Sequence, residues 1–547
     1  SRQMPYDIYI PKENLHSALN GQKAIARITD WPMSMKNPTG EIIEVLGEPG
    51  ENEVEMHAIL AEFDLPYRFE EEVENAAAVI SGKTTRNDIK RRRDFREVPT
   101  FTIDPEDAKD FDDALSIHRM ESGNWEVGVH IADVTYFVGF NTILDKEAQE
   151  RGTSVYLVDR VIPMLPEILS NNICSLKPNE ERLCFSAVFE LDEQAMVISE
   201  WFGKTIIVSD RRFTYEEAQN VIETGTGDLN NEIQQLNRLA QVLRDWRFRN
   251  GSIDFERTEV KFEIDEKGAP LGVFLKQNKE SNQLIEEFML LANRRVAEFI
   301  GKKTGSKPKP FVYRIHDRPD QEKLSSFSFI IKKFGYRIST SSHKLLSQSL
   351  NQLLKEVQGR KEENLIETLA IRAMAKAKYS TRNIGHYGLA FECYTHFTSP
   401  IRRYPDMMVH RLLQAYLQQE DSFGEKKLED LCKHSSEMER KAIDAERASV
   451  KYKQVEFLSD KIGHRYEGII SGVADWGIYV EINENKCEGL IPIRELDDDF
   501  YELDEGDYSI TGRLTRKKYQ LGDPLKVEIS RVDLSKKQVD LLMIADE

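Results

Sequence analysis

Cysteine is scarce: Cys174, Cys184, Cys393, Cys432 and Cys487 are an odd, scattered set with no Cys-x-x-Cys pair. That usage disfavours a disulfide framework or a structural zinc site, and it suits reduced thiols in a cytosol. Long apolar runs are missing too. None approaches the roughly 18 residues that span a bilayer, and the N-terminus has no hydrophobic signal segment. We therefore expect a cytoplasmic protein with no membrane partner. Positive charge is in deficit, with 75 Lys+Arg against 94 Asp+Glu and a net charge of −19. The deficit excludes a uniformly basic nucleic-acid coat and a polybasic membrane binder, and it leaves room for a local basic groove.

The 547 residues imply about three or four folding units. Residues 1–80 read as short strands between Gly, Pro and Asn turns: "KAIARITDWP" and "TGEIIEVLGEPGENEVEMHAIL" alternate apolar and polar positions, the pattern of a small barrel. Charge is segregated along this stretch. Residues 1–80 carry 6 basic and 15 acidic residues, whereas 83–96 ("KTTRNDIKRRRDFR") carry 7 and 2. The basic run, Lys90 and Arg91 included, reads either as a solvated linker or as a rim that contacts phosphates.

From about 97 to 425 strands alternate with helices. "DALSIHRM", the turn "ESGN" and "WEVGVHIADVTYFV" form a β-hairpin pattern. Leu284, Phe288, Leu291 and Val296 recur near helical spacing and mark a core helix, and residues 426–463 read as a long polar-faced helix. Beyond Gly463 short strands return without a long helix, which suggests a second barrel. This segment is acidic as well, with 11 basic and 19 acidic residues over 462–547.

The chemistry concentrates in "TIDPEDAKDFDDALSI", where Asp104, Asp110, Asp112 and Asp113 fall within ten residues. At roughly 5 Å and an effective dielectric near 20, each like-charge pair costs about 3 kcal/mol, so converging carboxylates must hold protons or bind cations. Oxygen ligands without Cys or His favour Mg²⁺ or Mn²⁺, and two such ions suit phosphodiester hydrolysis. An acidic solvated loop is the bland alternative. Against it, Ile103, Phe111, Ala114 and Leu115 interleave with the acids as in a packed segment. "DFDD" also fits an aspartate-nucleophile phosphatase, although Ala114 and Leu115 replace the usual Gly-Thr turn.

In "HFTSPIRRYPD" (396–406) the adjacent Arg402 and Arg403 could clamp a phosphate or pair with the carboxylate cluster. In "GTSVYLVDRVIPMLP" (152–166) Tyr156 lies in an apolar run, either as a core ring or as a platform for a base. His130 and Asp133 of "HIADV" read as structural polar groups beneath the site.

Together "IDPEDAKDFDDA", "HIADV", "YLVDRVIPMLP" and "HFTSPIRRYPD" resemble the RNB family of hydrolytic exoribonucleases, with wording closer to its ribonuclease R branch than to ribonuclease II. The resemblance covers nearly the whole chain. It implies a multidomain α+β protein: a cold-shock-type OB domain at 1–80, an RNB catalytic domain at 81–460 with the basic segment 83–96 at its mouth, and an S1-type OB domain at 462–547. It also implies processive 3′-to-5′ hydrolysis of single-stranded RNA to nucleoside 5′-monophosphates, without a small-molecule cofactor and by a monomer. RNA with structure and a 3′ overhang is a further expected substrate.

Carried over by motif, Asp104 and Asp113 would be direct Mg²⁺ ligands, Asp110 a ligand or orienting group, and Asp112 the most critical carboxylate. Tyr156 would stack on the 3′-terminal nucleotide, and Arg402 would neutralise the scissile phosphate. In "VADWGIYVEI" Trp476 and Tyr479 take the places of the RNA-facing aromatics, while Val473 and Ile491 stand where an aromatic and a His are usual. Family members usually have two cold-shock domains, and ribonuclease R adds an N-terminal helical region and a basic tail. One cold-shock candidate and an acidic "LLMIADE" end lead us to expect a trimmed form. The binding-only alternative, a scaffold that has lost its carboxylates, is disfavoured because all four aspartates are present.

Overall fold

The computed structural model describes residues 6–32, 36–254, 259–301, 309–360, 362–420, 424–504 and 506–544. Its centre is a seven-stranded sheet. The strands concerned are β3 (Arg93–Asp94), β4 (Thr100–Asp104), β5 (Asp113–Arg119), β6 (Trp125–Ala132), β9 (Glu181–Leu191), β10 (Val197–Val208) and β11 (Arg211–Thr214). Their spatial order is β11-β4-β5-β6-β9-β10-β3, antiparallel except for the two edge pairs. The expected β5–β6 hairpin is present, with Asp113 opposite Ile131. The central strands are buried on both faces, all five residues of β4 and the last six of β6 included, with Thr100, Thr102 and His130 among them. Helix Glu280–Gly301 buries Leu284, Phe288, Leu291 and Val296 in the same core, as their spacing predicts.

The N-terminal unit departs from its all-strand reading. β1 (Lys23–Asp30) and β2 (Thr39–Gly47) pair antiparallel, but Asn52–Glu62 is a helix. A run of four or five alternating residues cannot separate the two periods. Here the i, i+3, i+4 set Met56, Ile59 and Leu60 finds an apolar surface to cover, and tertiary burial decides for the helix. A short hairpin, β7 (Val155–Tyr156) with β8 (Val161–Ile162), lies on this helix.

Helix Glu425–Leu458 has 34 residues, about 51 Å at 1.5 Å per residue. It gives Leu428, Leu431 and Cys432 to the catalytic core. Met438, Ala442, Ala445 and Tyr452 pack with the N-terminal helix and the β7–β8 hairpin. Val455 and Leu458 enter the C-terminal core. That last unit is a closed five-stranded barrel, in the order Arg465–Ala474, Gly477–Ile482, Glu488–Pro492, Gln538–Met543, Pro524–Asp533. Three helices, Gln321–Lys333, His343–Val357 and Glu363–Ala373, form a separate apolar cluster that the sequence reading did not single out.

Candidate active site

The aspartates lie where β4 ends and β5 begins. Asp104 closes β4, Asp113 opens β5, and the connecting loop carries Asp110 and Asp112. The loop is pinned from outside. Phe111 N–H donates to Ser175 Oγ (3.0 Å), Ser175 Oγ donates to Lys109 O (2.8 Å), and Leu176 N–H donates to Phe111 O (3.0 Å). Ala132 N–H, at the end of β6, donates to Asp112 O (2.9 Å). Asp112 is thereby fixed with 1% exposure, its Oδ1 accepting from Ile401 N–H at 2.9 Å.

Arg402 arrives from a distant part of the chain. The loop before helix Tyr404–Leu417 zips onto Gly152–Ser154. Ser154 N–H donates to Arg402 O (2.8 Å), Thr153 Oγ1 to the same oxygen (3.1 Å), and Tyr404 N–H to Gly152 O (2.9 Å). Gly152 makes this possible: its φ is +68°, and a Cβ would sit 2.9 Å from Met438 Cβ. Arg402 and Tyr156 thus share one wall, although 246 positions separate them in sequence. Arg402 Nη2 donates to Asp110 O (2.9 Å), and its Nε lies 3.1 Å from Asp110 Oδ2 and 3.2 Å from Asp112 Oδ2. Within the apolar hairpin Val155, Leu157 and Ile162 are buried, whereas Tyr156 turns outward and keeps 37% exposure.

Burial pushes Asp104 up to about 6 and Asp113 up to about 7, the latter helped by the charge of Asp104. Asp112 is likewise held well above the usual carboxylate range by burial. Asp104 Oδ2, Asp112 Oδ2 and Arg402 Nε are buried without a hydrogen-bond partner among the described residues. Asp112 Oδ2 still has the Arg402 charge 3.2 Å away, whereas a buried oxygen such as Asp104 Oδ2 is costly unless a cation or a proton joins it. No three Asp, Glu, His or Cys side chains among the described residues form a finished cage. Magnesium, however, is commonly held by one or two carboxylates, with waters and substrate phosphates completing its shell, so the Asp104–Asp113 pair fits it.

Other expected residues fall elsewhere. Arg403 forms a bidentate pair with the buried Asp406 (Nε–Oδ2 and Nη2–Oδ1, both 2.8 Å), a partner outside the expected carboxylate cluster. Three of the seven cations of the basic run are tied into ion pairs. Arg92 pairs with Asp133, Arg93 with Glu126, and Arg96 with Asp94 and Glu181, while Lys90 and Arg91 stay exposed. Asp133 is indeed a structural hub: against the cost of burial, Lys204 and Arg92 hold it down at about 2. His130 bridges Ser116 and Ser186 at 2.8 Å each, and burial pushes its imidazole down to about 3. Trp476 lies in the turn between two barrel strands, 59% exposed, and its Nε1–H donates to Tyr479 Oη (2.9 Å).

The sequence reading missed Ser175, the Ile401 amide and Arg212. Arg212 donates to Glu106 O (2.8 Å) and to Pro105 O behind the Asp104 loop. Only a parallel β11–β4 register, invisible to local patterns, brings it there.

An RNB domain model matches residues 92–419. The chain belongs to the RNB family. A cold shock domain model matches residues 1–70 and an S1 RNA binding domain model 459–544, so the RNB unit is flanked as expected. Ribonuclease R of Thermotoga maritima is 38% identical over 560 residues, spanning all of this chain and 78% of the relative. Ribonuclease R 1 of Lactococcus lactis is 36% identical over 565 residues, spanning all of this chain and 68% of the relative. Among solved structures, Mycoplasma genitalium RNase R in complex with ribose methylated single-stranded RNA has a TM-score of 0.92 at 27% identity, over 99% of this chain and 85% of that one. The same enzyme in complex with double-stranded RNA gives 0.87 at 26% identity, over 99% and 92%. This RNB protein is a 3′-to-5′ exoribonuclease of RNA degradation, in a family of metal-dependent hydrolases.

Proposed function

We propose that the protein degrades single-stranded RNA processively from the 3′ end, releasing nucleoside 5′-monophosphates, and that it takes structured RNA through a 3′ overhang. The observation that carries the reading is the carboxylate pair Asp104 and Asp113, the first buried with an unsatisfied oxygen, set against a guanidinium and an outward ring. Asp104 and Asp113 would hold the divalent ions, Mg²⁺ or Mn²⁺ and two during catalysis, with Asp110 orienting Arg402 and contributing to the site's negative charge. When bound, such ions acidify the attacking water and neutralise phosphate charge.

Asp112, fixed by the Ile401 amide, acts on the reacting phosphate. Arg402 offers a planar, permanently charged donor to the charge that develops there. Tyr156 stacks on the 3′-terminal base, worth roughly 1–3 kcal/mol. Lys90 and Arg91 would draw the backbone toward the site, Arg403 would add positive field beside Asp113, and Trp476 with Tyr479 would stack bases on the barrel. Contacts to 2′-hydroxyls would separate RNA from DNA. We place the domains at 1–80, 81–460 and 462–547, in a monomer of the cytoplasm. No helix among the described residues is long and apolar enough to cross a membrane, and all five cysteines are buried and outside any disulfide.

The test is 5′-labelled RNA incubated with Mg²⁺ or with chelator. A Mg²⁺-dependent jump straight to a short limit fragment is expected; internal cuts, or none, would overturn the reading. Asp112→Asn should lower turnover by at least about a hundredfold while RNA binding stays within about twofold of wild type.

A further inference from the structure

The β7–β8 hairpin that presents Tyr156 is held at its far end by the N-terminal unit. Its turn is closed by Leu157 N–H donating to Arg160 O (2.9 Å), which leaves Val158 and Asp159 at the tip with Arg160 just after them. Asp159 is buried, its side chain 7% exposed, and its Oδ2 accepts from Asn52 Nδ2 at 2.6 Å. Arg160 Nη2 donates to the same Asp159 oxygen at 2.8 Å, and Arg160 Nη1 reaches Glu53. Asn52 and Glu53 are the first two residues of the N-terminal helix.

Asn52 is in turn fixed from behind by Lys453 of the long helix, whose fully buried ammonium donates to Asn52 Oδ1 (2.7 Å), Glu456 Oε2 (2.7 Å) and Gly268 O. Gly268 has a φ of +82°, and a Cβ there would stand 2.2 Å from Asn52 Nδ2, so no larger residue permits this approach. The apolar side of the hairpin (Val155, Leu157, Ile162) rests on the same helix through Met56, Ile59 and Leu60.

We infer that Asp159 and Arg160 are positioning residues for the 3′-terminal pocket: anchored on Asn52 and Glu53, they set the pose of Tyr156 and make the N-terminal unit part of the catalytic geometry. The inference rests on the stacking role proposed for Tyr156. A two-strand hairpin is marginal by itself, so its orientation depends on what clamps its ends. One end is zipped to Arg402 through Ser154, and the other is clamped by Asn52 and Glu53. Releasing the second clamp frees the ring to swing while the phosphate-side charges stay in place.

The experiment uses the full chain and reads limit-product length and steady-state kinetics for Arg160→Ala, Glu53→Ala, the double variant and Arg160→Lys, with Tyr156→Ala as reference. Arg160→Ala and Glu53→Ala should each lengthen the smallest product and lower kcat at least about threefold, with KM for long RNA within about twofold. The double variant should be no worse than the more severe single one, since both break one linkage. Arg160→Lys, which keeps the charge between Asp159 and Glu53, should recover most of the loss. A merely structural role would lower stability without changing product length.

If Tyr156→Ala lengthens the product while a folded Arg160→Ala leaves it unchanged, the inference fails alone. If Tyr156→Ala itself changes nothing, the stacking role fails and the inference falls with it. Should Arg160→Ala not fold, the exposed Glu53→Ala decides by the same readout.

Discussion

Asp113 illustrates how a single residue can be unfavourable to the fold and still suit the proposed chemistry. Its acid, held at about 7 by burial and by Asp104, prefers a proton more in the folded chain than in the unfolded one. A folded pKa above the unfolded value contributes stability that is full below about pH 4 and is lost as pH rises through 7. The metal-free protein should therefore lose thermal stability between pH 5 and pH 8, and Asp113→Asn should raise Tm at pH 8 but have little effect at pH 5. Scanning calorimetry in chelator checks this; an equal shift at both pH values would refute it. Mg²⁺ should stabilise the wild type more at pH 8 than at pH 5.5, because ligands must shed protons to bind. At this scale the sequence was informative: four aspartates within ten residues, each side of a loop between strands, already required a cation or protons. Ser175, Arg212 and the Ile401 amide were hidden because they act from segments distant in sequence or through backbone, which carries no residue-type signal.

Among elements, the core helix Glu280–Gly301 and the β5–β6 hairpin were legible because each keeps one period for its whole length. Asn52–Glu62 was not, since its first residues alternate like a strand and only the surface it covers selects the helix. The β4–β5 loop invites a direct test. Ser175→Ala removes the hydroxyl that accepts from Phe111 and donates to Lys109, so the carboxylate loop should loosen. Stability should fall by about 1–3 kcal/mol, from a buried amide left unpaired, and kcat should drop more than KM changes. Urea unfolding and steady-state kinetics separate the two effects.

For the molecule as a whole, the net charge of −19 conceals a division of labour. Both flanking units are acidic, and within the basic run Arg92, Arg93 and Arg96 are already committed to carboxylates. Attraction for RNA near the catalytic unit then falls on exposed cations such as Lys90 and Arg91. If both contact phosphates, replacing the pair with Ala should reduce the slope of log K against log salt by about 1.4, from about 0.7 per contact on single strands. An unchanged slope across 50–300 mM salt, roughly the span in which screening matters, would remove them from the track.

The long helix Glu425–Leu458 adds a consequence for how the protein comes apart. One uninterrupted rod supplies side chains to the catalytic core, to the hairpin junction and to the barrel, so unfolding of any one of them strips contacts from the helix that the others share. Chains assembled from separate beads usually unfold bead by bead. Here heat or denaturant should meet a single shared spine, and the three compartments should lose structure as one cooperative body.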